Sequence, residues 1–219
     1  EDLGGLSVPR GAGAALEFRG VHFAYEPGHE VIRDFSLKVP SGTRVALVGA
    51  TGSGKTTIAS LLLRFYDPQR GEILLNGVPL TALARDALRR CIALVPQEAV
   101  IFSETVRHNL SYAAPAGREF TDDELRAAAE RGAAHHFIAM LCDGYGTVLN
   151  GGGSALSQGE RQLLSLARAF VVDPEILILD EATSNIDTRT ELEIKRAITE
   201  LTRGRTCIII AHRLSTIRD

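Results

Sequence analysis

The chain has 219 residues, 45% apolar and 23% charged, enough to bury a sizeable core and outside the composition of disordered, collagenous or disulfide-scaffold proteins. Lys and Arg number 24 against 27 Asp and Glu, a formal net charge of −3, so no general basic field exists for nucleic acid or an anionic membrane and any phosphate binding must be local. Cys91, Cys142 and Cys207 are odd in number, widely separated and without metal-ligand spacing, which predicts free thiols in a reducing compartment.

In chain order, residues 1–15 are Gly-, Pro- and Ala-rich without periodicity and read as a linker from an upstream domain. The first residue is Glu1 and no charged start precedes an apolar stretch, so the chain reads as an excised piece without a signal peptide. Alternating apolar and polar residues from Leu16 to Tyr25 and from Phe35 to Val39 predict half-buried strands of an antiparallel layer. Val45–Val48, Ile176–Leu179 and Cys207–Ile210 are short continuous apolar runs, the pattern of parallel strands buried on both faces. None approaches the about 20 residues of a membrane helix, so no bilayer insertion is expected.

A helix after Lys55 is predicted from Ile58, Leu61, Leu62 and Phe65, ending at Asp67-Pro68. Arg85, Arg89 and Arg90 recur on one exposed helix face. Thr121 to Glu124 forms a capping box opening an Ala-rich helix to about Leu141, with His135-His136 on its solvated face. This lies in a helical subdomain, about residues 98–163, inserted in the α/β core. Two more helices are expected, from Glu160 to Phe170 with Leu163, Leu164 and Ala167 inward, and from Thr188 to Leu201 with Leu192 and Ile198 inward.

Between the Val45 strand and the Lys55 helix lies Gly49-Ala50-Thr51-Gly52-Ser53-Gly54-Lys55-Thr56, the full G-x-x-x-x-G-K-[ST] phosphate loop in the setting its mechanism requires. Its backbone N–H groups and the helix N-terminus cradle phosphate oxygens, Lys55 bridges the β- and γ-phosphates, and the Thr56 hydroxyl binds Mg2+. The Ile176 strand ends in Asp180-Glu181, at the strand end where ligands gather in parallel sheets. Asp180 would reach Mg2+ through water and Glu181 would orient or deprotonate the attacking water; a plain helix N-cap pair is the alternative. Ser157 and Gly159 precede an amphipathic helix, either as a capped start or as a place where hydroxyl, N–H and helix dipole converge on phosphate.

With these motifs in order, Leu156-Ser157-Gln158-Gly159-Glu160 resembles the Leu-Ser-Gly-Gly-Gln signature of the ATP-binding cassette family, departing at Gln158 and Glu160. The resemblance runs from about Leu16 to the end, so residues 16–219 read as one nucleotide-binding domain, truncated at its C-terminus. It implies a P-loop NTPase core with a mainly parallel sheet, an antiparallel β layer and an inserted helical subdomain. It also implies that Tyr25 stacks on adenine and that Gly49, Thr51, Gly52, Ser53, Gly54, Lys55, Thr56 and Thr57 touch the nucleotide. Gln97 resembles the glutamine contacting Mg2+ and the attacking water, alongside Thr56 and Asp180 as metal residues. His212 resembles the histidine on the γ-phosphate. Ser157, Gly159 and Asp187, the last in Ser184-Asn185-Ile186-Asp187, are expected to face the nucleotide of a second nucleotide-binding domain. Catalysis would then rest on Glu181, His212, Gln97 and Lys55.

Arg64-Phe65-Tyr66-Asp67-Pro68, Gly71-Glu72-Ile73 and Val100 to Val106 resemble cassettes of exporters whose membrane helices precede the cassette in one polypeptide. That implies a transmembrane domain as partner, the cytoplasmic side of the cell membrane as location, and ATP with Mg2+ as cofactors. Asn185, Gln158 and the missing Glu in Thr147 to Gly151 fit one half of a heterodimeric exporter. The alternatives are a catalytically weak regulatory half and a non-transport ATPase on nucleic acid, the latter opposed by the negative charge.

Overall fold

The computed structural model describes residues 15–112, 118–180 and 186–211. Contacts divide the chain into two compact units, residues 1–94, 175–181 and 204–219, and residues 95–174 and 182–203.

The first unit holds two sheets. Strands β1 (Leu16–Ala24), β2 (Glu30–Val39), β4 (Arg70–Leu75) and β5 (Val78–Pro79) form an antiparallel sheet in the order β2-β1-β4-β5. Alternation along β1 decides which face is inward: Leu16, Phe18, Val21 and Phe23 are buried, and the register shifts beside Gly20 and Val21 keep the pattern facing the core. Strands β3 (Arg44–Val48), β6 (Ile92–Val95), β7 (Ile176–Asp180) and β8 (Thr206–Ala211) form the other sheet in the order β3-β8-β7-β6, with β8 parallel to both neighbours. Ile176, Leu177 and Ile178 are all buried, as a strand covered on both faces requires. Helix α1 (Lys55–Leu62) shares one apolar core with the antiparallel sheet and with Ile176, Ile178, Ile208 and Ile210. Helix α2 (Arg85–Cys91) shows Arg85, Arg89 and Arg90 exposed and buries Leu88.

Phe65, counted among the apolar residues at helical spacing after Lys55, is 59% exposed. Helix α1 stops at Leu62 because Arg64 turns left-handed, φ 55, which moves Phe65 off the helical stripe and under the Arg89 guanidinium.

The second unit is helical, with α3 (Val106–Ser111), α4 (Asp122–Arg131), α5 (His135–Met140), the four-residue turn α6 (Asn150–Gly153), α7 (Gln158–Val172) and α8 (Thr188–Leu201). The 15-residue α7 is the organiser, packing against α3, α4 and α8. The single Ala-rich helix expected to Leu141 is broken. The Thr121–Glu124 capping box starts α4, but Ala133 adopts φ 56 and a new helix begins at His135. The break follows from packing: a Cβ on Gly132 would lie 2.7 Å from the Ala167 Cα, so α4 ends against the backbone of α7. His135 is correspondingly half-buried, with Nδ1 3.0 Å from the Tyr145 hydroxyl, while His136 is exposed. Along α8 the buried stripe is Ile194, Ala197 and Leu201; Leu192, expected inward, is 53% exposed and Ile198 is half-buried. Among the described residues no helix is long and apolar enough to cross a membrane. None of the three cysteines forms a disulfide, and burial pushes the Cys207 thiol pKa up to about 11.

Candidate nucleotide site

The phosphate loop lies between the end of β3 and the start of α1. Gly54 is the N-cap of α1 at φ 87, in the left-handed region that glycine enters without penalty. A Cβ there would lie 2.5 Å from Ile32 Cδ1, so the antiparallel sheet also presses the loop into shape. Helix α1 has no side-chain cap and no acidic residue in its first turn, which suits its N-terminal N–H groups to an anion.

Lys55 is buried, at 7% exposure, and its ammonium donates to Gly49 O at 2.7 Å and Ala50 O at 2.8 Å, with Ser53 Oγ at 3.4 Å. The cation is therefore held against its own loop before any ligand arrives. Ser53 N donates to Ala50 O at 3.2 Å and closes the turn. Thr51, Gly52, Ser53 and Thr56 are exposed along the loop, Gly49 is half-buried, and Thr57 is buried. Tyr25 is 51% exposed and donates its hydroxyl to Thr57 Oγ1 at 3.2 Å, which brings the expected base-stacking ring to the loop. Its ring meets Phe23 at 4.9 Å and Tyr66 at 5.2 Å, both edge to face. Tyr66 was not assigned a role from the sequence, because its place beside Tyr25 depends on the return of the chain after α1. The only sequence cue was the Arg64-Phe65-Tyr66 match.

Asp180 ends β7, two strand spacings from the end of β3 with β8 between, about 10 Å in the plane of the sheet. Both strands run the same way, so Asp180 and the phosphate loop lie at the same edge. The Thr56 hydroxyl and Asp180 carboxylate are oxygen donors of the kind Mg2+ takes. A buried cation, an uncapped helix N-terminus and oxygen donors at one sheet edge fit a magnesium nucleotide. Glu181 and His212, with Ser184 and Asn185, lie outside the described residues.

In the second unit the structure brings together Ser157, Gly159 and Asp187. Ser157 is the N-cap of α7, its Oγ accepting from Glu160 N at 3.2 Å while Glu160 Oε2 accepts from Ser157 N at 2.8 Å. Asp187 caps α8, accepting from Thr190 N at 3.0 Å. The Thr190 N–H and hydroxyl hold its carboxyl below the usual range. Gly159 packs on this second cap: a Cβ would lie 2.4 Å from Thr190 Cγ2. Gln97 is exposed in the loop after β6, in the same unit.

Glu160, a departure from the signature, is thereby explained as the reciprocal half of a capping box. Within the cap the Ser157 hydroxyl only accepts, which leaves its proton to donate to a ligand oxygen. Glutamine serves the same box position, so Glu160→Gln is expected to stay within about 0.5 kcal/mol of the parent stability, whereas Ser157→Ala costs about 1 kcal/mol. Urea unfolding of the two variants checks this, and an equal loss in both would contradict it.

The family pattern described as ABC transporter matches residues 32–184, spanning the phosphate loop, the signature and the Asp180-Glu181 strand end. The chain belongs to the ABC transporter family. The ABC domain is 50% identical over 204 residues to the fatty acid ABC transporter ATP-binding/permease protein of Mycobacterium bovis, covering 93% of this chain and 32% of that protein. It is 48% identical over 205 residues to the ATP-dependent lipid A-core flippase of Alkalilimnicola ehrlichii, covering 93% and 34%. The structure of a bacterial Atm1-family ABC exporter with ATP bound superposes with a TM-score of 0.89 at 40% identity, over 100% of this chain and 38% of that one. The ABC domain thus spans about a third of the length of the relatives it matches. It is an ATP-binding domain of that family, similar to the ATP-binding parts of those exporters.

Proposed function

We propose that this domain binds MgATP, pairs with a second nucleotide-binding domain around it, and hydrolyses it to drive export through a transmembrane domain at the cytoplasmic face of the membrane. The observation that carries the reading is Lys55, buried and held on Gly49 O and Ala50 O at an uncapped helix N-terminus, a preorganised cation for the β- and γ-phosphates. Magnesium, when bound, supplies charge that neutralises the phosphate oxygens, and Thr56, Asp180 and Gln97 are the residues to hold it. Gly49, Thr51, Gly52, Ser53, Gly54 and Thr57 shape the phosphate cradle, and Tyr25 gives the base an aromatic face. Glu181 takes the proton of the attacking water, and His212 contacts the γ-phosphate. Ser157, Gly159 and Asp187 complete the nucleotide site of the partner domain. The departures at Gln158 and Asn185 favour a different chain as that partner.

The test is nucleotide hydrolysis by the full chain with and without DNA or RNA. Magnesium-dependent turnover unaffected by nucleic acid is expected; stimulation by nucleic acid would favour the non-transport reading. Nucleotide binding without turnover, even with the partner present, would favour a regulatory half.

A further inference from the structure

We propose that Arg168, with Asn109 and Gln162, clamps the segment carrying Gln97 onto the helix that carries Ser157 and Gly159, so that these residues keep a fixed spacing. All the groups involved lie in the second unit, and the proposal rests on the reading of Gln97 given above.

Arg168 projects from α7 eleven residues beyond its N-cap, about 16 Å along the helix. Its guanidinium donates through Nε to Asn109 O at 2.6 Å, through Nη2 to Asn109 Oδ1 at 2.5 Å, and through Nη1 to Val100 O. It also lies 5.5 Å from the Phe102 ring centroid. Burial lowers the guanidinium to about 10, still charged near neutral pH. Placing a cation among carbonyl oxygens costs desolvation that an apolar residue would avoid, so the arrangement is expensive unless it holds something in place.

What it holds is the stretch following Gln97. Asn109 is fully buried. Its Oδ1 accepts from Phe102 N at 2.9 Å, and its Nδ2 donates to Phe102 O at 3.0 Å, Thr105 O at 3.1 Å and Glu104 O at 3.3 Å. Two side chains thereby bond Val100 O, Phe102 N and O, Glu104 O and Thr105 O, in a stretch that lies outside any helix or strand. On the other side of Gln97, Gln162 Nε2 donates to Pro96 O at 3.4 Å from the same helix. Residue 97 is thus tied at Pro96 and at Val100, both ties leading to α7, while its own side chain stays exposed. Arg168 is a positioning residue in this account and touches no reacting atom.

The test compares Arg168→Met, Gln97→Ala and the double variant in the full chain, by amide hydrogen exchange, MgATP affinity and kcat. Arg168→Met is expected to speed exchange of the Phe102 amide and its neighbours at least about tenfold, because the Asn109 acceptor loses its support. It should leave the Kd for MgATP within about twofold and lower kcat about tenfold to a hundredfold, the range for a catalytic group displaced by about 1 Å. In the Gln97→Ala background it should lower kcat no further. Unchanged exchange over 98–105, or an equal fall of kcat in both backgrounds, overturns the clamp. Turnover unaffected by Gln97→Ala alone overturns the role of Gln97 instead, and the exchange rates then judge the clamp by themselves. If Arg168→Met does not fold, Arg168→Lys, which keeps the charge but loses the fork, carries the same measurements.

Discussion

Glu181→Gln is expected to bind MgATP as tightly as the parent and to lose about 10²- to 10⁴-fold in turnover, the range of a positioned general base. Lys55→Ala is expected to fail earlier, weakening MgATP binding about tenfold to a hundredfold through loss of a charged hydrogen bond to phosphate worth roughly 1.5–3 kcal/mol. The two residues separate for a physical reason. Lys55 is held at the phosphate loop by Gly49 O and Ala50 O, where, on the proposed reading, it contacts the nucleotide from binding onwards. A base at residue 181 matters only when water attacks. Fluorescent-nucleotide titration and phosphate release, run side by side, check both. Parental turnover in Glu181→Gln would remove the general-base assignment, and unaltered binding in Lys55→Ala would remove the phosphate contact.

A tethered pair in which one domain carries Lys55→Ala and the other Ser157→Arg is expected to recover nucleotide trapping that neither variant shows when paired with itself. If each site joins one domain's phosphate loop to the other's Ser157 and Gly159, both self-paired variants have two damaged sites. The mixed pair has one doubly damaged site and one intact site. Ser157 and Asp187 open α7 and α8 side by side, with Gly159 pressed on Thr190, and the Ser157 hydroxyl, which accepts in its cap, keeps a proton to donate to a phosphate oxygen. Tethering supplies an effective concentration in the millimolar range, so weak self-association of chains that prefer a different partner does not obscure the result. Trapping by the mixed pair no greater than by either self-paired variant would end the shared-site reading.

Both experiments draw on features that are local in sequence, and locality separates what could be read early from what could not. The phosphate-loop motif was legible because eight consecutive residues carry it: glycines, lysine and hydroxyl follow one another directly after a strand, with no help from distant chain. The Thr121 capping box was legible for the same reason, closing within three residues. Burial stripes were read less well where apolar residues were sparse, and α8 turned Leu192 outward in favour of Ile194 and Ala197. The Ala-rich helix gave no local sign of breaking, because the cause, contact of Gly132 with Ala167, lies 35 residues away.

The sequence alone determined the family and the parallel and antiparallel strand classes, and it singled out Lys55 as the lysine of the phosphate-loop motif, all carried by period, motif and order along the chain. Only the tertiary structure decided that β8 lies between β3 and β7 and brings Asp180 to the loop's edge, and that Tyr66 joins Tyr25. The same holds for Arg168, 68 residues from Val100, and its grip on the segment after Gln97. These contacts join residues far apart in the chain, and the apolar burial that selects them is non-directional, so their geometry exists only once the cores are packed.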